Sequence, residues 1–350
     1  MLATNRLARE TRFVQHSSGS DLPGFGPSFR GNELATDRPL FTSAWPPFRK
    51  PRRDFFKAVT TSLAVAAFGG CASAEDGAVD ARNIREDGLV GSLFLPKGPG
   101  PFPAVITLTG AGGGIDEPPA RALAAEGFAA FALATHGVHG RPSGFHDIPI
   151  EYCERAIAWL LRTVKPRNDF IAARGWSRGG ELALILGAMF PSIKAVLAYA
   201  PLTYVGLARP RRGDDRDQSV RPAWTWHDKP LAFKPLPRAM MVNPRDPTFE
   251  DRYGIPIERT KGPILFVTGT EDEGLSQDPT VGCDRAMRRL DLFHFRYRHE
   301  HWSYDGAGHD IEGPPPFEGP AEGGGSVEAD RRAVADSWPR SIAFLREAAA

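Results

Sequence analysis

Gly175-Trp176-Ser177-Arg178-Gly179 lies between the apolar run Phe170-Ile171-Ala172-Ala173 and the helix-forming run Glu181 to Leu186. A serine spelled G-x-S-x-G between a strand and a helix occupies a strained turn with its hydroxyl raised over the sheet edge, and the flanking glycines leave room for the strand and helix that close around it. That is a nucleophile's position, and a hydroxyl attacks well only when a base takes its proton. His309, in the Gly-rich loop Gly306-Ala307-Gly308-His309-Asp310, is the candidate base. Asp272, in Thr270-Glu271-Asp272-Glu273 after the apolar run Ile264 to Val267, is the candidate carboxylate, preferred over Glu271 and Glu273. Its task is to orient the imidazole and stabilise the imidazolium as it forms. The glycine run Gly110-Ala111-Gly112-Gly113-Gly114 permits close backbone approach to a substrate carbonyl, so the N–H groups of Ala111 and Arg178 are the candidate oxyanion donors. The same run does not spell a dinucleotide site, because G-x-G-x-x-G needs glycine where Ile115 stands.

Other histidines compete for roles. His299, Glu300 and His301 imitate a metal-ligand run, but no third ligand has suitable spacing, and a half-exposed strand explains them. His136, His139 and His146 follow an early strand and read as rim or structural residues. No metal and no cofactor is expected.

The elements that must position these groups alternate strand and helix from Glu75 onward, which predicts an α/β architecture: a mostly parallel sheet with helices on both faces. Strands are expected at Leu89 to Leu95, Phe102 to Leu108, Phe128 to Ala134, Ile193 to Ala200, Pro263 to Val267 and Leu292 to His301. Helices are expected over Pro118 to Glu126, Ile150 to Thr163, with Tyr152, Ala156, Trp159 and Leu160 inward, and Pro279 to Leu290. Residues 201–262 form an irregular insertion read as a lid over the site. Its Arg209, Arg211, Arg212 and Arg216 are interleaved with Asp214, Asp215 and Asp217 and read as a self-neutralised loop. Trp224, Trp226, Phe233 and Pro235 fit either an apolar acyl pocket or ordinary lid packing.

A chain of 350 residues with 41% hydrophobic and 24% charged content and a net charge of +1 gives no argument for nucleic acid or an acidic partner. No apolar run reaches the roughly 20 residues of a membrane span. Residues 1–50, rich in Pro, Gly, Ser and Arg, read as a disordered extension, one explanation for which is a start placed upstream of the true one. Residues 51–74 resemble a twin-arginine export signal: Arg52-Arg53-Asp54-Phe55-Phe56-Lys57, a mild apolar core and the small-residue site Ala72-Ser73-Ala74. The expectation is a periplasmic or secreted protein, with a lipid anchor at Cys71 as the alternative. Cys153 and Cys283 are left either as buried thiols or as one disulfide, and oligomeric state is open.

Read together, Gly98-Pro99-Gly100-Pro101-Phe102-Pro103, Gly110 to Gly114, Gly179-Gly180-Glu181-Leu182, Gly262-Pro263-Ile264-Leu265, Gly306 to Pro315 and the closing segment Asp336-Ser337-Trp338 resemble a known family. It is the catalytic domain shared by acyl-CoA thioesterases and bile acid-CoA:amino acid N-acyltransferase, related to dienelactone hydrolases within the α/β-hydrolase superfamily. The resemblance covers about 260 residues. It implies acyl-CoA thioesters as substrates and an acyl-enzyme on Ser177; a carboxylic ester or lactone is the alternative, which the export signal favours. An acyltransferase or a non-catalytic binding protein on the same scaffold is a further reading. The family's acyltransferases use Cys as nucleophile, so Ser177 favours water as acceptor. Animal members carry an N-terminal β-sandwich domain, where the stretch before Leu89 here reads as leader and linker. They also commonly have Lys at Arg178 and a helix former at Pro339, so a kink or break is expected near Trp338.

Overall fold

The computed structural model describes residues 79–208, 221–231, 254–275, 278–317, 319, 321 and 323–350, all within the unit Pro39–Ala350. The expected leader and extension, the arginines and aspartates at 209–217, and Phe233 and Pro235 lie outside the described residues.

The elements run β1 (Val79–Ile84), β2 (Gly91–Pro96), β3 (Ala104–Leu108), α1 (Glu117–Ala125), β4 (Ala129–Leu133), β5 (Ile148–Pro149), α2 (Ile150–Trp159), β6 (Ile171–Trp176), α3 (Arg178–Met189), β7 (Ile193–Tyr199), β8 (Trp224–Trp226), β9 (Lys229–Pro230), β10 (Ile264–Gly269), α4 (Pro279–Leu292), β11 (His299–Tyr304) and α5 (Val327–Ala349). Eight strands form one sheet in the order β1-β2-β4-β3-β6-β7-β10-β11. β2 pairs antiparallel with β1 and β4, and every pairing from β4 to β11 is parallel. Strands of that parallel part are covered on both faces, which is why β3 and β10 are mostly apolar, interrupted only by Thr107 and Thr268, with every residue buried. Alternation along each strand splits the core into two layers. Ala104, Ile106 and Leu108 pack with α2, α3 and α4, while Val105 and Leu265 pack with α1 and α5. Parallel strands put their carboxyl ends on one edge, so the loops after β3, β6, β10 and β11 meet there.

Helix ends follow from their residues. Asp278 accepts from the Thr280 N–H with Pro279 in the first turn of α4, and Ser326 accepts from the Ala329 N–H at the start of α5.

Four expectations need correction. β1 is a strand with no signal in the sequence, because its four central residues are exposed and carry no apolar alternation. The strand expected over Leu292 to His301 begins only at His299: α4 runs on through Leu292, and the aromatics that suggested alternation stack on one another in the connection, Phe295 against Tyr297 and His299 at 5.4 and 5.7 Å. Pro339 does not break α5, which is continuous from Val327 to Ala349. A proline forfeits one helical hydrogen bond, and the buried Trp338, Ile342 and Leu345 hold the helix on the sheet from both sides of it. The insertion is not irregular throughout, since its β8 and β9 join β5 in a second, three-stranded sheet. Strands of two and three residues are too short to leave a period in the sequence. Trp224 is buried in the core.

Candidate active site

Ser177 sits at the junction of β6 and α3 with φ 56° and ψ −121°. Non-glycine residues rarely hold that backbone, and the surroundings enforce it: the Ser177 N–H donates to the Tyr199 carbonyl at 2.9 Å, and its own carbonyl accepts from the Glu181 N–H at 3.1 Å. The two glycines are required by contact. A Cβ on Gly175 would lie 2.0 Å from the Gly179 carbonyl oxygen, and one on Gly179 would lie 2.2 Å from that of Leu108. Ser177 is buried, at 6% exposure.

The loop after β11 brings His309 beside the elbow. The Trp176 Nε1–H donates to the His309 carbonyl at 2.9 Å, and the two rings stack with centroids 5.0 Å apart. Trp176 precedes Ser177 in the chain, so the same residue that ends β6 fixes the histidine loop. His309 Nδ1 is 2.7 Å from Asp272 Oδ2, and Oδ1 of that carboxylate accepts from the Gly274 N–H at 2.9 Å. The Asp272 side chain is fully buried, whereas Glu271 and Glu273 are exposed. A carboxylate only accepts, so Nδ1 carries the proton and Nε2 is left with a lone pair. Gly274 and Gly323 make this pairing possible, because a Cβ on either would lie 2.3 Å from His309. Further out, Asp330 accepts from the Gly308 N–H at 2.7 Å, and the buried Arg174 donates from Nη2 to the Glu312 carbonyl. Burial pushes the Glu312 carboxyl up to about 7.

The expected oxyanion donors lie on both sides of the serine. A Cβ on Gly110 would be 3.2 Å from Ser177 Cβ, so the loop after β3 passes directly beside Ser177. Within it the Gly113 N–H donates to the Gly110 carbonyl at 3.2 Å, closing a turn with Ala111 at its second position. Arg178 is the first residue of α3, where backbone N–H groups point out along the helix axis. Its side chain forms a buried ion pair with Glu181, Nε to Oε2 at 2.6 Å, and Nη1 donates to the Leu207 carbonyl. Glu181 Oε1 also accepts from the Gly206 N–H at 3.0 Å and the Trp224 Nε1–H at 2.9 Å. Burial outweighs the Arg178 charge and raises the Glu181 carboxyl to about 7. The insertion is thereby tied to the elbow helix.

Sequence reasoning missed Trp176, Glu181 and Asp330. Only Glu181 left a signal, a carboxylate inside an otherwise apolar helical run. Other histidines lie away from this pair. His301 bridges Asp284 and Thr268, His299 meets Asp291, His146 meets Asp147, and His139 is exposed. Among the described residues, no cluster of three or more His, Cys, Asp or Glu is arranged to hold a metal, and no helix is long and apolar enough to cross a membrane. Cys153 and Cys283 are both buried, and neither is in a disulfide.

This strand order, with a serine on the turn after β6 and a buried Asp–His pair after β10 and β11, defines an α/β-hydrolase fold. The chain belongs to the family described as BAAT / acyl-CoA thioester hydrolase C terminal, whose model matches residues 148–350. It is similar to the mouse (Mus musculus) peroxisomal succinyl-coenzyme A thioesterase, 31% identical over 279 residues that cover 75% of this chain and 64% of the relative. It is also similar to the mouse acyl-coenzyme A amino acid N-acyltransferase 2, 30% identical over 282 residues, 77% of this chain and 66% of that one. The chain thus spans just under two thirds of the length of either relative. Among solved structures, a dienelactone hydrolase-like promiscuous phosphotriesterase from metagenomic libraries shares the fold at a TM-score of 0.50 and 19% identity, covering 77% of this chain and 99% of its own.

Proposed function

We propose that this protein is a serine hydrolase that cleaves acyl thioesters through an acyl-enzyme on Ser177. The observation that carries the reading is the Nδ1 to Oδ2 contact of 2.7 Å between His309 and the fully buried Asp272 side chain, on a loop bonded to the residue before Ser177.

With Nδ1–H committed to Asp272, His309 Nε2 is the free base. It takes the Ser177 hydroxyl proton as Oγ attacks the thioester carbonyl carbon. The carbonyl oxygen becomes an oxyanion facing the Ala111 and Arg178 N–H groups, where preorganised donors cost no reorganisation. Collapse breaks the C–S bond, and the imidazolium returns its proton to the departing thiolate. Water then enters, gives a proton to His309, attacks the acyl carbon and releases the carboxylic acid as the proton passes back to Ser177. No step calls for a metal or cofactor.

The family and the two mouse relatives support a coenzyme A thioester as the substrate class. Ser177 supports water as acceptor over the amino acid of the acyltransferases. A panel of acyl-CoA thioesters beside p-nitrophenyl esters of graded length tests this. Higher kcat/KM on at least one thioester than on every ester is expected; turnover confined to esters would leave a carboxylesterase in its place.

A further inference from the structure

His136 is 2% exposed, at the end of the stretch after β4, and nothing in the proposed chemistry uses it. Its Nε2 lies 3.0 Å from the Ala111 carbonyl oxygen and its Nδ1 lies 3.0 Å from Thr135 Oγ1. A carbonyl has no proton to give, so Nε2 is the donor. Burial outweighs the opposing hydrogen bond to the Ala111 carbonyl and, with the Arg141 charge, holds the imidazole pKa below its ordinary value and favours the neutral ring. In the neutral ring Nδ1 then accepts from the Thr135 hydroxyl, and a single tautomer satisfies both contacts. The His136 carbonyl accepts from the Gly114 N–H at 3.0 Å, and a Cβ on Gly113 would lie 2.7 to 2.9 Å from His136 atoms. One residue therefore grips the glycine loop at Ala111, Gly113 and Gly114.

The grip sets a direction. The Gly110 carbonyl and the Ala111 N–H belong to one trans peptide and point opposite ways. With that carbonyl turned inward to Gly113, the Ala111 N–H faces out of the turn, and clamping the next carbonyl fixes the turn's other side. The His136 ring also stacks on Phe145 at 5.0 Å, and the Arg178 guanidinium lies 4.8 Å over the same Phe145 ring. The supports of both oxyanion donors meet on one side chain.

We propose that His136 is a positioning residue for the oxyanion hole, holding the Ala111 N–H on target by donating from Nε2 to the Ala111 carbonyl. The proposal rests on the assignment of Ala111 and Ser177 above. Its test compares His136→Gln, which keeps a donor at the same reach, with His136→Met and His136→Phe, which fill the space without one. The readouts are the rate at which a fluorophosphonate labels Ser177, and kcat and KM on p-nitrophenyl butyrate. The Met and Phe variants are expected to label and turn over about tenfold or more slowly with KM within about threefold of wild type, and the Gln variant to recover most of the loss. A melting curve for each variant identifies any that does not fold, and either donor-free variant suffices. Wild-type labelling rates in the Met or Phe variant would overturn the proposal, as would a Gln variant as slow as they are. Because the probe reports any activated serine, a wild-type protein that labels but hydrolyses no thioester would refute the substrate reading and leave this test standing. A wild-type protein that does not label refutes both.

Discussion

Ser177 keeps a backbone conformation that its own side chain disfavours, and the cost of such strain, on the order of 1–3 kcal/mol, is borne only where neighbouring structure over-determines it. Here the neighbours are the Tyr199 carbonyl and the Gly175–Gly179 contact. Replacing the serine should therefore remove chemistry without unfolding the turn: Ser177→Ala is expected to lower kcat by about 10⁴-fold or more with melting temperature unchanged or raised. His309→Ala should fall nearly as far. Asp272→Asn should cost about 10³–10⁴, because an amide in place of the carboxylate accepts less well and no longer stabilises the imidazolium. The exposed Glu271→Gln should cost nothing measurable, and a harmless Asp272→Asn beside a damaging Glu271→Gln would assign the carboxylate wrongly. Stopped-flow release of free thiol measures all four. At this scale the sequence pointed to residues that the fold brings near one another, since G-x-S-x-G, a carboxylate at a strand end and a histidine in a glycine loop each carry a physical reason for their residue types. It was silent on Trp176 and Asp330, whose roles depend on contacts across 133 and 22 residues of chain.

The elbow helix α3 joins Ser177 to the insertion, and two predictions belong to it. Gly179→Ala would push a methyl into the Leu108 and Thr109 carbonyls at 2.2 and 2.5 Å, displacing the loop that carries Ala111. Overpacking of that kind typically costs 1–3 kcal/mol, so a lower urea midpoint is expected together with a lower kcat. Glu181 gives a pH signature. Its folded carboxyl titrates near 7 against an unfolded value of 4.5, so between those values the native state holds a proton that the unfolded chain has lost. This contribution to stability is therefore full at low pH and falls as pH rises toward 7, by at most about 1.4 kcal/mol per unit. Glu181→Gln should flatten that slope in urea titrations from pH 4.5 to 7.5; an unchanged slope would mean the carboxyl is ionised throughout. The long elements were legible because continuous apolar runs and helical spacing mark them. The small sheet of β5, β8 and β9 was not, since two- and three-residue strands from distant segments are made by tertiary contact rather than by local preference.

In the molecule as a whole, alternation along the parallel strands builds two apolar layers, and the strand carboxyl ends collect Ser177, Asp272, His309 and the glycine loop on one edge. The sequence showed that layering through its strand–helix alternation, but misplaced the boundary at Leu292, and of the kink or break expected near Trp338 the break does not occur, because burial against the sheet overrides local preference. The export expectation rests on Arg52 and Arg53, outside the described residues. Replacing both by Lys is expected to strand the precursor in the cytoplasm. A mature terminus at Glu75 would mark release and a lipid-modified Cys71 an anchor; an intact chain retained inside the cell would contradict export. The central claim is that acyl groups leave their thioester on Ser177. Rapid acid quench during turnover of an acyl-CoA, followed by mass spectrometry of the peptide containing residue 177, tests it most directly. The account predicts the acyl mass on Ser177 and its disappearance, with turnover, in Ser177→Ala; thioester hydrolysis undiminished in that variant would contradict it.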